Sequence, residues 1–168
     1  APDHLVGDGS PGSRTEQALT QALAMGGTIA FSCGTAPVTI HVTQTLQART
    51  DVATTLDGGG TVTLDGGDAV QILSFSHPDY RANDTTLTLQ HIAFAHGHAH
   101  GTMMYDTSAP PPCSQGYYDG YGGAVYVRDG VLVVIDAQFE SNAAESLGPD
   151  VGGGAIALIG SKRAVIAG

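Results

Sequence analysis

The sequence contains little positive charge. Only six of its 168 residues are Lys or Arg, against sixteen Asp or Glu, and the formal net charge is -10. Because an acidic surface repels phosphate backbones and anionic headgroups, this balance argues against nucleic acid as a partner and against docking on anionic lipid. No apolar run approaches the ~20 residues that a membrane-spanning helix needs. We therefore expect no membrane-spanning segment.

Charge of either sign is scarce, and Trp is absent. Charged residues make up 13% of the chain, about half the share usual in soluble domains. A hydrophobic content of 42% excludes a disordered polymer, and the 24 glycines lack the three-residue period of collagen. This profile is typical of a secreted repeat protein. We expect an exported protein.

Cysteine is also rare, since Cys33 and Cys113 are the only two. In an exported protein we expect them to form a disulfide. Closing a loop of about 80 residues would stabilise the fold by about 4 kcal/mol in the chain-entropy model. The alternative is two buried free thiols that pack as small hydrophobic side chains.

The chain divides into an arm and one domain. Residues 1–13 are rich in Gly, Pro, Ser and Asp and predict a flexible arm, and residues 14–168 form the domain. A capping helix is predicted at about 14–25, with Ser13 or Thr15 as its N-cap. Short strand-like runs rich in Val, Ile, Thr and Phe follow it.

Apolar positions define two of these strands. In TLTLQHIAF the alternation slips between Leu89 and Ile92, which predicts a bend. In VLVVIDAQF one face carries five apolar residues, namely Val131, Val133, Ile135, Ala137 and Phe139.

Short motifs recur along the chain. The element Gly123-Ala124-Val125 reappears as Gly154-Ala155-Ile156, and LDGG occurs twice, at Leu56 and at Leu64. The first pair of motifs lies 31 residues apart. A repeat of about 20–50 residues without helices favours stacked units, each covering the apolar face of its neighbour. We therefore predict an all-β fold, a right-handed parallel β-helix (solenoid) with a short N-terminal capping α-helix. The alternative is a β-sandwich or jelly roll, in which Asp129-Gly130 would be a hairpin turn.

These motifs carry a family resemblance. Over about residues 26–168 the chain resembles right-handed parallel β-helix proteins of the polymorphic outer-membrane-protein type. The matching elements are Gly122–Val125, Gly153–Ile156 and the Phe-x-x-Asn step Phe139–Asn142. The resemblance implies a bacterial type of protein that is secreted, periplasmic or on the cell surface, often adhesive or host-facing, and it carries over no catalytic residue. The related pectate-lyase-like enzymes use clustered Asp with a basic residue, a pattern that the six basic residues here do not show.

Histidines cluster in HIAFAHGHAHG. A spacing of two places His96, His98 and His100 on one side of an extended chain, where they could bind a transition metal. The alternative is a solvated segment without metal. Asp57, Asp65 and Asp68 beside glycines could bind calcium, but turn formation explains Asp-Gly better. We therefore expect no cofactor, with calcium or a transition metal as the alternative.

The longest interruption of the repeat is residues 97–121, predicted to be an inserted loop. It carries four tyrosines that could stack on sugar rings, namely Tyr105, Tyr117, Tyr118 and Tyr121. The alternative is that these tyrosines only pack over the side of the domain.

The last predicted strand, 164–167, has no cap after it. Either the chain is a fragment of a longer protein, or another subunit covers this end and the protein self-associates, even into a filament.

The predicted function is a non-enzymatic structural, adhesive or self-assembling module. Its expected partners are a polysaccharide bound through the inserted loop, another cell-surface protein, or further copies of the chain. The alternative function is a polysaccharide lyase or glycoside hydrolase, so the question of enzymatic activity stays open, with the balance against it.

Overall fold

The computed structural model describes residues 1–10, 12–32, 34–105, 115–149 and 151–168. Twelve strands and one helix lie in these ranges. In chain order they are β1 (His4–Val6), α1 (Glu16–Met25), β2 (Gly27–Phe31), β3 (Val38–His41), β4 (Leu46–Gln47), β5 (Thr54–Asp65), β6 (Leu73–Ser76), β7 (Thr86–Ala95), β8 (Val125–Arg128), β9 (Val131–Ile135), β10 (Gln138–Glu140), β11 (Ile156–Ile159) and β12 (Arg163–Ala167).

The strands form two parallel sheets. The larger has eight strands in the order β1-β2-β5-β7-β9-β12, with β3 paired to β5 and β10 paired to β7. The smaller has four strands in the order β11-β8-β6-β4. Pairing between these named strands is parallel throughout. The alternative of a β-sandwich or jelly roll built from antiparallel hairpins is therefore excluded for the described strands.

The predicted right-handed parallel β-helix is also corrected. The strands are divided unequally between an eight-stranded and a four-stranded parallel sheet, which with the helix resembles an α/β-type parallel arrangement and not a solenoid. Regular stacked repeats would supply each face with one strand per repeat. Here β5 and β7 are long strands that each pair along two segments, so the larger sheet receives extra strands. Short glycine motifs specify turns well but do not specify how many strands each sheet receives.

The hydrophobic core is built by aligned side chains. Ile29, Leu56, Leu89 and Val134 occupy neighbouring register positions across β2, β5, β7 and β9, and all are at most 1% exposed. In the smaller sheet Phe75 pairs with Val127, and both are fully buried. Burial of such side chains contributes about 1.5–3 kcal/mol each. Residues from both sheets belong to one core cluster, so the two sheets stabilise each other.

The helix lies within the predicted range. Thr15 is the N-cap, and its hydroxyl oxygen accepts a hydrogen bond of 3.1 Å from the backbone N–H of Ala18. Gly26 ends the helix with φ 75°, a conformation that favours glycine. Leu19, Ala22 and Leu23 are buried. Among the described residues, no helix combines the length and the apolar character needed to cross a membrane.

The N-terminal segment differs from the predicted arm. Residues 4–6 form β1, which pairs in parallel with β2, and Val6 is fully buried. The carboxylate of Asp3 accepts a hydrogen bond of 2.7 Å from the backbone N–H of Thr28. Because the Gly- and Pro-rich residues lie after this strand, composition averaged over 1–13 concealed it.

The predictions made from the two alternating strand segments have different outcomes. The bend in TLTLQHIAF is confirmed, since His91 has φ 48° and the burial pattern changes phase there. In VLVVIDAQF the buried face of β9 carries Leu132 and Val134, whereas Val131, Val133 and Ile135 are half-buried. Both faces of that strand are apolar, so the alternation could not indicate which face is inside.

Candidate functional site

A large cleft lies at the amino ends of the strands of the smaller sheet. Its volume is about 500 Å³. Since β4, β6 and β8 are parallel, the segments that precede them meet at one edge. The residues that line the cleft are Thr45, Ala69, Val70, Gln71, His98, Ala99, His100, Met103, Tyr118, Asp119, Gly120, Tyr121 and Tyr126. We call this site the tyrosine cleft.

Three aromatic side chains dominate the tyrosine cleft. The rings of Tyr121 and Tyr126 are stacked, with centroids 6.2 Å apart and an interplanar angle of 21°. Tyr118 is 38% exposed and contacts Tyr105, at a centroid distance of 5.2 Å and an angle of 54°. Such rings offer apolar faces together with hydroxyl groups, which is the combination that a sugar ring requires.

Two of the four tyrosines predicted from the sequence, Tyr118 and Tyr121, line the cleft. Tyr105 supports Tyr118 from outside the lining. Tyr117 is used structurally: its backbone N–H donates to the carbonyl of Leu147 at 2.8 Å, and a Cβ at Gly101 would lie only 2.2 Å from its Cγ.

Sequence reasoning missed Tyr126. This residue lies in β8 between Val125 and Val127, both fully buried, so the alternation places its side chain on the opposite face. Burial raises the pKa of the Tyr126 hydroxyl, more than the nearby charge of Arg128 lowers it. The alternating pattern in AVYV was the signal that could have identified it.

Gln71 holds the backbone at Tyr121 and Gly122. Its amide Nε2 donates to the carbonyl of Tyr121 at 2.7 Å and to that of Gly122 at 3.0 Å. Gly122 has φ 67° and a Cβ there would lie 2.4 Å from the carbonyl oxygen of Val125, so glycine is required. These contacts fix the position of Tyr121 relative to Tyr126.

The predicted histidine set is divided by the fold. His98 and His100 both line the cleft, with ring centroids 4.0 Å apart. His96 lies elsewhere, with Nδ1 3.3 Å from the carboxylate of Asp65. No group of three His, Cys, Asp or Glu side chains in the described part of the chain could hold a metal ion. The φ of 52° at His96 turns the chain and breaks the simple two-residue alternation.

Asp119 is the only carboxylate among the described residues that line the cleft. It accepts hydrogen bonds from the backbone N–H of Thr102 and of Met103, each 2.8 Å, and from the Thr102 hydroxyl at 2.5 Å. Burial raises the pKa of Asp119, but these hydrogen bonds outweigh it and leave the pKa below its usual value. The carboxylate therefore orders the loop, and it stays ionised near neutral pH.

The aspartates considered for calcium make turn contacts. Asp57 accepts from the backbone N–H of Gly59 at 3.0 Å, and Asp65 accepts from that of Gly67 at 2.8 Å. Asp68 has φ 57°, which is typical of a turn. Cys33 and Cys113, the predicted disulfide, lie outside the described residues.

No protein-family model matches the chain. Neither the curated proteins nor the solved structures contain a significant match to it. The resemblance to repeat proteins of the polymorphic outer-membrane-protein type thus rests on its short motifs alone. The chemistry of the site is inferred from its own geometry.

Proposed function

We propose that the protein is a secreted or cell-surface binding module that takes a polysaccharide chain in the tyrosine cleft, with an adhesive role. The observation that carries the proposal is the convergence of Tyr118, Tyr121 and Tyr126 on one cleft of about 500 Å³. Composition supports the location, since low charge and abundant glycine are typical of exported repeat-rich domains.

The contacts in the cleft suit binding. The Tyr121–Tyr126 pair forms an aromatic wall, and the rings of His98 and His100 add polar nitrogens that can exchange hydrogen bonds with sugar hydroxyls. Because Gln71 and Asp119 already hold the backbone on both sides of Gly120, the wall is ordered before a ligand arrives. A preorganised site loses less entropy on binding.

The cleft is less suited to glycoside hydrolysis. That reaction ordinarily uses two carboxyl groups, about 5–10 Å apart, on either side of the scissile bond. The described lining supplies Asp119 alone, and its oxygens already accept three hydrogen bonds. Binding without cleavage is accordingly the function that this lining supports best.

Affinity electrophoresis of the full chain in gels containing soluble neutral β-glucan, galactan or xylan tests the proposal. We expect retardation by at least one polysaccharide. Replacing Tyr121 by Ala should weaken binding about 2- to 10-fold, which corresponds to about 0.5–1.5 kcal/mol for a lost aromatic contact. Tyr126→Ala should act in the same direction.

Tyr80→Ala is the matched control, because Tyr80 is an exposed tyrosine (52%) outside the cleft. Its mobility in the gel should equal that of the wild type. The proposal fails if no polysaccharide retards the protein, or if Tyr121→Ala and Tyr80→Ala bind equally well.

A further inference from the structure

The scarce positive charge of this acidic protein gathers at a second cleft. Arg81, Gly160, Ser161 and Lys162 line a cleft of about 420 Å³, which we call the Arg81 cleft. Arg128 lies close by, since its guanidinium carbon and that of Arg81 are 5.7 and 5.1 Å from the ring centroid of Tyr80. Three of the six basic residues of the chain therefore surround this one tyrosine and its neighbouring turn.

Tyr80 organises the cations. Guanidinium groups over an aromatic ring are attracted by its electron-rich face, and this contact does not itself use their N–H groups. Arg128 donates through Nη1 to the carbonyls of His77 and Pro78, so Arg81 is the guanidinium that can serve a ligand. Gly160 lets the turn approach the same ring, since a Cβ at this position would lie 2.4 Å from Cε2 of Tyr80. Arg81 is held with φ 61°, an uncommon conformation for a residue other than glycine, asparagine or aspartate.

The carboxylates of this region leave Arg81 unpaired. Asp84 pairs with Lys162, whose ammonium group has three donors in all. Asp129 is buried and accepts from the backbone N–H groups of Asn83 at 2.8 Å and Gly130 at 3.0 Å. Among the described residues, no ion pair joins a carboxylate to Arg81 or Arg128.

Ser161 supplies a second, independent sign of a ligand. Its hydroxyl oxygen is buried and has no hydrogen-bond partner in the described structure. An unpaired buried hydroxyl is costly, and native structures usually satisfy such groups. Ser161 lines the same cleft as Arg81 and Lys162, so a ligand bound there would lie beside this unsatisfied hydroxyl.

We propose that the Arg81 cleft binds a tetrahedral oxyanion, a sulfate or phosphate group, through Arg81, Lys162 and Ser161. This site is separate from the tyrosine cleft and does not depend on polysaccharide binding there. A tetrahedral anion presents several oxygens at once, so the guanidinium fork, the ammonium group and the hydroxyl can each donate to a different oxygen.

Calorimetric titration of the full chain tests this inference, with sodium sulfate, sodium phosphate and sodium acetate at constant ionic strength. We expect sulfate or phosphate to bind, and acetate to bind at least tenfold more weakly. Arg81→Asn should weaken binding of the oxyanion about tenfold or more, as expected for a lost charge-assisted hydrogen bond. Asparagine is chosen because it tolerates the φ of 61° at this position.

Arg49→Asn is the matched control. It removes one positive charge at an exposed pair with Asp51 and should leave binding unchanged. Ser161→Ala should weaken binding at least threefold, while the melting temperature of the free protein stays equal or rises because an unpaired hydroxyl is removed. A hydroxyl with only a structural function would not change the affinity.

Two further titrations, with dextran sulfate and with polyphosphate, distinguish the two sources of the oxyanion. Stronger binding of dextran sulfate than of polyphosphate would assign the cleft to sulfate esters, and the reverse order would assign it to phosphates. The inference is overturned if neither inorganic ion binds, if acetate binds as tightly as sulfate, or if Arg49→Asn weakens binding as much as Arg81→Asn does.

Discussion

Asn142 joins two strands of the larger sheet to the chain that enters the tyrosine cleft. Its amide oxygen accepts from the backbone N–H of Gly97 at 2.8 Å, and its Nδ2 donates to the carbonyl of Phe94 at 3.0 Å. Asn142 thus bridges to residues more than 40 positions away, at the end of β7.

Replacing Asn142 by Ala removes both hydrogen bonds. Gly97 and Phe94 are buried, so an N–H and a carbonyl group would lose their partners where water has little access. Each such loss costs about 1–3 kcal/mol, and the partial exposure of Asn142 places the total near the lower end, at about 2–3 kcal/mol. Gly97 precedes His98, so we also expect weaker binding in the tyrosine cleft.

Urea unfolding at neutral pH, followed by circular dichroism, measures this free energy. Asn142→Asp retains the acceptor for Gly97 but places a carboxylate oxygen against the carbonyl of Phe94, so it should also destabilise the fold. Gln138→Ala, an exposed residue of β10, is the control and should unfold within about 0.5 kcal/mol of the wild type. A free energy of unfolding for Asn142→Ala equal to that of Gln138→Ala would refute the reasoning.

Two further predictions concern close packing and pH. Gly123→Ala should destabilise the fold by about 3 kcal/mol or more, because its Cβ would lie 2.2, 2.5 and 2.6 Å from the carbonyl oxygens of Ala143, Gly97 and Gly154. Thermal unfolding measures the effect, and Gly152→Ala is the control, because its Cβ would meet no atom within 4 Å and its melting temperature should equal that of the wild type. Similar melting temperatures for the two variants would contradict the packing argument. Burial raises the pKa of Asp57, but hydrogen bonds from Gln90, Gly59 and His91 leave it below its usual value. The unfolded chain then binds more protons than the folded one at acid pH, so the free energy of unfolding should be steady above about pH 5 and fall as the pH drops below about 4. Asp57→Asn should show a shallower fall in acid urea titrations, and an unchanged slope would show that Asp57 does not contribute.

Local signals predicted the elements well but the assembly poorly. The N-cap candidate Thr15 indicated the start of the helix, and the phase slip after Leu89 indicated the bend at His91. In contrast, β9 is apolar on both faces, so its alternation could not show that Leu132 and Val134 are the buried pair. The division of the strands between the two sheets depends on pairing between residues far apart in the sequence, and a short stretch of sequence does not contain that information.

The candidate site shows the same division. The sequence indicated a tyrosine- and histidine-rich segment, and Tyr118, Tyr121, His98 and His100 do line one cleft. It did not indicate Tyr126, which reaches the cleft from β8. It also did not indicate the Arg81 cleft, whose two halves, Arg81 and residues 160–162, lie far apart along the chain.

The amino-acid sequence by itself determined the acidic surface, the helix and the strands with their turn glycines, because charge, apolar spacing and backbone conformation act over a few residues. Only the tertiary structure decided that the strands form two unequal parallel sheets, that His96 separates from His98 and His100, and that three tyrosines meet at one edge. The physical reason is that parallel pairing joins residues 24 or more positions apart, and a strand's own side chains specify which face it buries far better than which neighbour it takes.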